Sequence, residues 1–286
     1  MTYSRREFGK TALAALPLSL MAAKVNGVTL GVMTYSYRAL PQTPGVDRVD
    51  GQIEALKTNG ARDIELFEAE LQPPGKADGL DKWRQATHMD HFTAARKKLE
   101  AAGITTHAYT VNYRDTLTDE DLDHTFEQAK VLGTNVIAAS TQVTMARRLA
   151  PFAEKHKIYV AFHGHSNTKD PNEFATPESF QTALGQSKYF KINLDIGHFS
   201  AAGYDPVAFI QEHHDRITHL HLKDRKKNDG PNVPLGEGDT PIKQVLLLLK
   251  DKKYPLPALV EYEYRGTGTP VEEVGKCLDY MRQAVA

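Results

Sequence analysis

From Val28 onward the chain repeats one pattern: a short apolar, β-branched run, a polar loop, then a longer segment with apolar positions three and four apart. Short apolar runs bounded by turn residues predict strands, and a 3.6-residue period predicts helices packed by one face. The runs fall at 29–35, 63–67, 105–109, 135–139, 159–163, 191–195, 217–221 and 258–262. The helical stretches fall at 46–58, 91–102, 119–132, 145–155, 177–184, 206–213, 241–251 and 270–284. Strict alternation of the two predicts a parallel sheet, and eight such units fit a closed α/β (βα)8 TIM barrel forming one domain over residues 24–286. Thr176-Pro177, Asp205-Pro206, Thr240-Pro241 and Thr269-Pro270 each put a capping oxygen before a proline suited to the first helical position. An open doubly wound sheet would carry a glycine-rich phosphate turn after its first strand, and Gly31-Val32-Met33-Thr34 is not one.

Residues 1–23 break the pattern. Ser4-Arg5-Arg6-Glu7-Phe8-Gly9-Lys10 precedes an uncharged, mostly apolar run from Thr11 to Ala23, the layout of a signal peptide. The paired arginines with Phe8 and Lys10 resemble a twin-arginine export signal, with Gly9 where leucine is more typical. The run is shorter than the ~20 residues of a membrane span. The expectation is export to the periplasm, cutting near Ala23, and no stable membrane insertion of the mature barrel.

Composition is that of an ordinary globular chain: 286 residues, 41% hydrophobic, 25% charged, net charge −1. Nothing is basic enough to call for nucleic acid or an anionic membrane; the run Lys223-Asp224-Arg225-Lys226-Lys227 reads as a solvated loop. A single cysteine, Cys277, permits neither an internal disulfide nor a cysteine-based zinc site, and reads as a small buried hydrophobe.

In such barrels the chemistry sits at the C-terminal ends of the strands. There the sequence places Glu65, His107, His163 with His165, Asp195 with His198, then His219, His221, Lys223 and Asp224, and finally Glu261 with Glu263. Residues two apart on a strand face one side, so His163 is grouped with His165, His219 with His221 and Lys223, and Glu261 with Glu263. Imidazoles and carboxylates converging on one mouth call for a compensating cation, and a divalent metal suits that donor set. A metal-free mouth is the alternative.

Asp195-Ile196-Gly197-His198, His221-Leu222-Lys223-Asp224-Arg225, Pro234-Leu235-Gly236-Glu237-Gly238-Asp239 and Val260-Glu261-Tyr262-Glu263 resemble the xylose isomerase-like barrels. More closely they resemble the bacterial sugar phosphate isomerase/epimerase branch. That resemblance implies one divalent ion held by a glutamate, an aspartate, a histidine and a glutamate. Asp195, His221 and Glu261 match the last three, and His163 stands in the place of the first glutamate. The ligand set is then His163, Asp195, His221 and Glu261, or three of these plus water. Imidazole in place of carboxylate removes a negative charge and favours Mn, Co or Zn over Mg. His198 and Arg225 match substrate contacts, with His165, Glu65 and His107 as further polar groups for substrate hydroxyls. Lys223 is open between substrate contact, acid/base and an ion pair to Asp224 or Glu263.

The implied activity is sugar isomerisation or epimerisation by abstraction of the proton next to a carbonyl, with Glu261 or Glu263 as one base and His163 or His165 as the other. Losing a symmetric carboxylate pair raises an alternative, β-elimination on a 3-keto-glycoside; a non-catalytic sugar-binding protein is a second. With no phosphate cradle beyond Gly236-Glu237-Gly238, the expected partner is a small free sugar or keto-glycoside, with no nucleic acid; a homo-oligomer is compatible. A DNA-repair barrel of the endonuclease IV type would need more metal ligands and a basic face.

Overall fold

The structure, a computed structural model, describes residues 24–41, 48–71 and 87–286; the expected export signal, residues 1–23, lies outside them. Eight parallel strands form the barrel: β2 (Val28–Met33), β3 (Asp63–Phe67), β4 (Thr105–Asn112), β5 (Val136–Ser140), β6 (Tyr159–His163), β7 (Phe190–Asp195), β8 (Ile217–Leu222) and β11 (Ala258–Val260). Each pairs with its neighbour, and β2 pairs with both β3 and β11, which closes the ring. Three short strands were not expected: β1 (Lys24–Val25), antiparallel to the start of β2, and the hairpin of β9 (Asp224–Arg225) with β10 (Asn232–Val233).

All eight expected runs become barrel strands, with two instructive shifts at the mouth. The first run stops at Met33 and continues as a 3₁₀ turn, Thr34–Tyr37. The last stops at Val260. Both follow from Ser36, whose Oγ donates to Val260 O (3.1 Å) and accepts from Tyr262 N (2.9 Å). A hydroxyl thus takes the place of a neighbouring backbone, and Glu261 leaves the ladder.

Three of the four expected threonine- or aspartate-proline helix starts cap their helices. Thr176 and Thr269 form capping boxes before Pro177 and Pro270, and Asp205 accepts from Val207 N and Ala208 N. Thr240 does not: its helix, Ile242–Lys252, has Pro241 as N-cap with no side-chain cap. The Thr240 hydroxyl instead accepts from Arg225 N (3.1 Å). Asp224 draws it there, because that carboxylate accepts from the amides of Gly236 (2.8 Å), Gly238 (2.9 Å) and Thr240 (3.1 Å) and folds the glycine-bearing loop onto β9.

The main core lies between strands and helices, where Phe92, Leu99, Phe126, Leu149, Phe180, Leu246 and Leu278 are buried. Each such side chain stabilises the fold by about 1.5–3 kcal/mol. Inside the ring a small apolar plug of Ala108, Val136, Ala138 and Ala161 gives way to buried polar residues including Glu65, Asn193, His219 and Asp195. The barrel is therefore polar inside where it approaches its mouth.

At the opposite end, Asp63 opens β3. It is buried and its Oδ2 has no hydrogen-bond partner. Burial pushes its carboxyl up from 3.8 to about 6, with Lys24 pulling the other way. A raised carboxyl leaves an ionisation penalty that is absent below the unfolded value near 4 and fully present above pH 6. Asp63→Asn is therefore expected to stabilise the protein by about 1–2 kcal/mol at pH 7.5, after discounting for solvent screening. The gain should vanish by pH 4 in urea titrations; a gain independent of pH would refute this account.

Candidate metal centre

Strand register builds the site. His163 on β6 lies opposite Asn193 on β7, Asn193 opposite His219 on β8, and Asp195 opposite His221. His221 in turn lies opposite Leu259 on β11, two residues before Glu261. Alternation turns Asn193 and Asp195, and His219 and His221, to the barrel interior at two depths. At the upper depth one ligand atom each from His163, Asp195, His221 and Glu261 lies within 4.8 Å of the others, all four residues buried. His163, His221 and Glu261, though not Asp195, line a cavity of roughly 330 Å³, together with His165, His198, Lys223, Glu263, Thr110, Asn112, Ser140, Tyr35, Phe67 and Met33.

The four residues fit a divalent ion. Two imidazoles and two carboxylates form a donor set typical of Zn, Co or Mn. Asp195 Oδ1 caps the helix Ile196–Ala201 by accepting from His198 N (2.7 Å), while Oδ2 is buried without a hydrogen bond. His163 Nδ1 donates to Asn193 Oδ1 (2.8 Å), so Nε2 carries the lone pair, held in place by an outer partner as metal-binding imidazoles are. His221 Nε2 faces Glu65 Oε2 and Nδ1 faces Glu261 Oε2 (2.9 Å).

A second group, Glu65 with His219 and His221, is also close enough to hold an ion, but its atoms are spent on one another. Glu65 Oε2 is shared by His219 Nε2 (2.7 Å) and His221, Oε1 accepts from Thr110, and His219 Nδ1 meets Thr218 Oγ1 (2.8 Å). This layer orients His221 from beneath.

Lys223 changes the charge balance of the mouth. Its ammonium lies 3.1 Å from Asp195 Oδ2, 2.9 Å from Glu261 Oε2 and 2.6 Å from Glu263 Oε2, and the residue is 3% exposed. The chain thus supplies one compensating cation of its own, in an ion pair with Glu263 and none with Asp224. Gly197 makes this possible, since a Cβ there would collide with Lys223 Cγ and come within 2.6 Å of Lys223 O.

The pKa shifts follow from this crowding. Burial pushes Asp195 up to about 7, with Lys223 opposing. Burial would raise Glu261 as well, but Lys223 and His221 hold it well below the ordinary carboxylate range. Burial would lower Lys223, but Asp195, Glu261 and Glu263 hold it well above its usual value. Burial, reinforced by His221, keeps His163 neutral far below 6.5, and burial with Lys223 does the same to His198.

Three residues expected at the substrate do not line the cavity. Glu65 is fully buried beneath His221. His107 lies deeper still, its Nε2 at 3.3 Å from Thr218 O and its ring against His219. Arg225 is turned away, its guanidinium taken by Gly230 O, Ser166 Oγ, Asp229 Oδ1 and His198 Nδ1. Period-two alternation shows which way a strand residue faces, not how far it is from the rim. His165 and His198 do reach the cavity. Asn193 was not singled out from the sequence, although alternation makes it the inward neighbour of Asp195. Glu173, with Oε2 3.1 Å from His165 Nδ1, carries no sequence signal because a loop brings it there.

Comparison with known proteins agrees with this architecture. The L-ribulose-5-phosphate 3-epimerase UlaE of Salmonella paratyphi A is 30% identical over 119 residues, 40% of this chain and 42% of that protein. The chain thus matches about two fifths of the length of such curated relatives. The probable 3-DHS dehydratase AsbF of Bacillus anthracis superposes with a TM-score of 0.66 at 17% identity, over 88% of this chain and 98% of that one. A sugar phosphate isomerase/epimerase of Parabacteroides distasonis gives 0.63 at 18% identity, over 92% and 98%. The IOLI protein with a bound zinc atom gives 0.65 at 17%, over 90% and 97%. These structural likenesses are of fold. The sequence profile of one family matches residues 53–284, and the chain belongs to it: the xylose isomerase-like TIM barrels.

Proposed function

We propose that this chain is a divalent-metal-dependent sugar isomerase or epimerase that works by removing the proton next to a sugar carbonyl. The observation that carries the reading is the convergence of His163, Asp195, His221 and Glu261, three of which line a cavity together with further acid–base groups. An ion of the Mn, Co or Zn kind held by these four residues would polarise the carbonyl and stabilise the developing enediolate charge.

The chain's own residues divide the remaining work. Glu261 and His163 belong to the ligand set, so Glu263 and His165 are assigned as the groups that move the proton. Glu263 takes it at a carboxylate oxygen. His165 takes it at Nε2, since Nδ1 faces Glu173. Return by the opposite group epimerises; return to the neighbouring carbon isomerises. Thr110, Asn112 and Ser140 offer hydrogen bonds to sugar hydroxyls, and Tyr35, Phe67 and Met33 an apolar face to the C–H side. Among the described residues Lys223 is the one lysine or arginine lining the cavity, and three carboxylates occupy it. That favours an unphosphorylated sugar or keto-glycoside, as does the expected export to the periplasm.

The His165–Glu173 pair supports a second reading. Their side chains are 33% and 26% exposed, towards solvent, where an imidazolium can protonate a departing oxygen. On a 3-keto-glycoside the α-C–H bond breaks to Glu263, the β-C–O bond breaks, and the aglycone leaves with a proton from His165. Incubating Mn- or Zn-reconstituted protein in D₂O with free ketoses and with 3-keto-glucosides separates the outcomes. Deuterium at the carbon next to the carbonyl with no aglycone released is expected. Aglycone release selects the elimination. Neither one, with sugar still bound, leaves a binding protein and overturns the proposal.

A further inference from the structure

Lys223 brings a cation of its own to oxygens that a divalent ion would need. Its Nζ lies 3.1 Å from Asp195 Oδ2, 2.9 Å from Glu261 Oε2 and 2.6 Å from Glu263 Oε2. Asp195 has no second oxygen to give, because Oδ1 caps the helix Ile196–Ala201 by accepting from His198 N. An ammonium and an ion drawn to Asp195 Oδ2 would stand against one atom, and their like charges repel.

The three contacts are not alike. Only the one to Glu263 has hydrogen-bond geometry. Asp195 Oδ2 is buried with no hydrogen-bond partner, and Glu261 Oε2 meets His221 Nδ1 (2.9 Å) as well as the ammonium. A fourth contact, to His198 Nε2 (3.1 Å), again goes to a residue outside the ligand set. Glu263 is also the carboxylate with room to follow the lysine: its side chain is 23% exposed, against 0% for Asp195 and 8% for Glu261. The stem itself is fixed, since Gly197 packs against Lys223 Cγ and the backbone of residue 223. Movement is confined to the end beyond Cγ. Charge agrees: three carboxylates bring three negative charges, Lys223 cancels one, and what remains matches a divalent ion.

We infer that Lys223 is a built-in counter-cation that sets the metal affinity of the mouth, pairing with Asp195 and Glu261 until an ion takes them and held by Glu263 thereafter. The metal-free mouth thus keeps its buried carboxylates paired, and the loaded mouth is not overcharged. The inference rests on the ligand set of the proposed function.

The test measures binding, not turnover. Zn²⁺ affinity is read at pH 8 by competition with a fluorescent chelator for wild type, Lys223→Met, Glu263→Gln and the double variant. Lys223→Met keeps a long apolar stem without the charge and should bind Zn²⁺ about 10–100-fold more tightly, the scale of relieving repulsion between neighbouring cations near a protein surface. Equal or weaker binding by folded Lys223→Met overturns the role of Lys223. Glu263→Gln leaves the ammonium to Asp195 and Glu261, so it should weaken binding about tenfold, but by no more than about threefold in the Lys223→Met background. The same loss in both backgrounds would show Glu263 acting by charge alone and overturn its hold on the lysine; so would an unchanged affinity in Glu263→Gln, however Lys223→Met folds. Melting curves give a second readout. Metal-free Lys223→Met should melt below metal-free wild type, and saturating Zn²⁺ should narrow the difference; a difference that Zn²⁺ leaves unchanged or widens overturns the exchange. Zn²⁺ bound by neither wild type nor any variant removes the ligand set, and with it the proposed function. Zn²⁺ bound by wild type but no more tightly by Lys223→Met leaves that set standing and removes only the role given to Lys223.

Discussion

His221→Ala or Asp195→Ala is expected to abolish bound metal and turnover together. Each removes one of four donors that meet within 4.8 Å, and each also disarms the neighbours. Without His221, Glu65 and Glu261 lose the imidazole they share; without Asp195, Lys223 loses one of its three carboxylates. Turnover should fall by about 10³-fold or more, the scale of losing a principal electrostatic group, and metal content should fall to background in elemental analysis. Affinity should also weaken as pH drops from 8 towards 6. The ion must displace protons from Asp195, pushed up to about 7 by burial, and from His221, which its flanking carboxylates hold well above 6.5 against the opposite pull of burial. Both variants retaining a full complement of metal would sink the ligand assignment.

Glu65→Ala should cost more stability than any other single change at the site. The carboxylate is fully buried and joins His219, His221 and Thr110. Removing one partner of a buried ionic network costs about 3–5 kcal/mol, because the remaining charge is stranded. The pH dependence has two arms. Burial would raise Glu65, but His221 and His219 hold it well below the ordinary range. Its contribution is therefore present above about pH 4.3 and lost as pH falls through the folded value. His221 is raised, so its contribution is full below about pH 6.5 and fades as pH rises through its folded value. The stability gap between wild type and Glu65→Ala, read by urea titration of metal-free protein, should be widest between about pH 4.3 and 6.5. A gap that is flat from pH 3 to 9 would show that Glu65 acts by packing alone. Metal affinity should also fall about 10–100-fold through the loosened His221.

The two predictions rest on features that were not equally legible in the sequence. Strand–helix alternation gave the barrel because periods of 2 and 3.6 are local properties of the chain. The donor set came from elsewhere: the motifs around Asp195, His221 and Glu261 resemble a known family, and all three stand at or just beyond the ends of their strands. Depth was not legible. Glu65 and His107 face inward as expected, yet the stagger of neighbouring strands sets them beneath the mouth, and stagger comes from the closed ring, not from any one strand. Charge balance was legible only in part. The need for a cation among these carboxylates was plain, but that Lys223 would meet part of it depended on its stem passing under the helix that Asp195 caps. Thr240 was read as a cap and serves as a loop tie because Asp224, sixteen residues earlier, recruits its amide.

That passage brings two stretches of backbone together as well as a side chain. A methyl group at Gly197 would meet not only the lysine stem but the carbonyl oxygen of residue 223 at 2.6 Å and its carbon at 3.1 Å. Trimming the lysine would therefore not release the glycine. Across related barrels that keep this spacing the first position should stay glycine whatever side chain stands at the second.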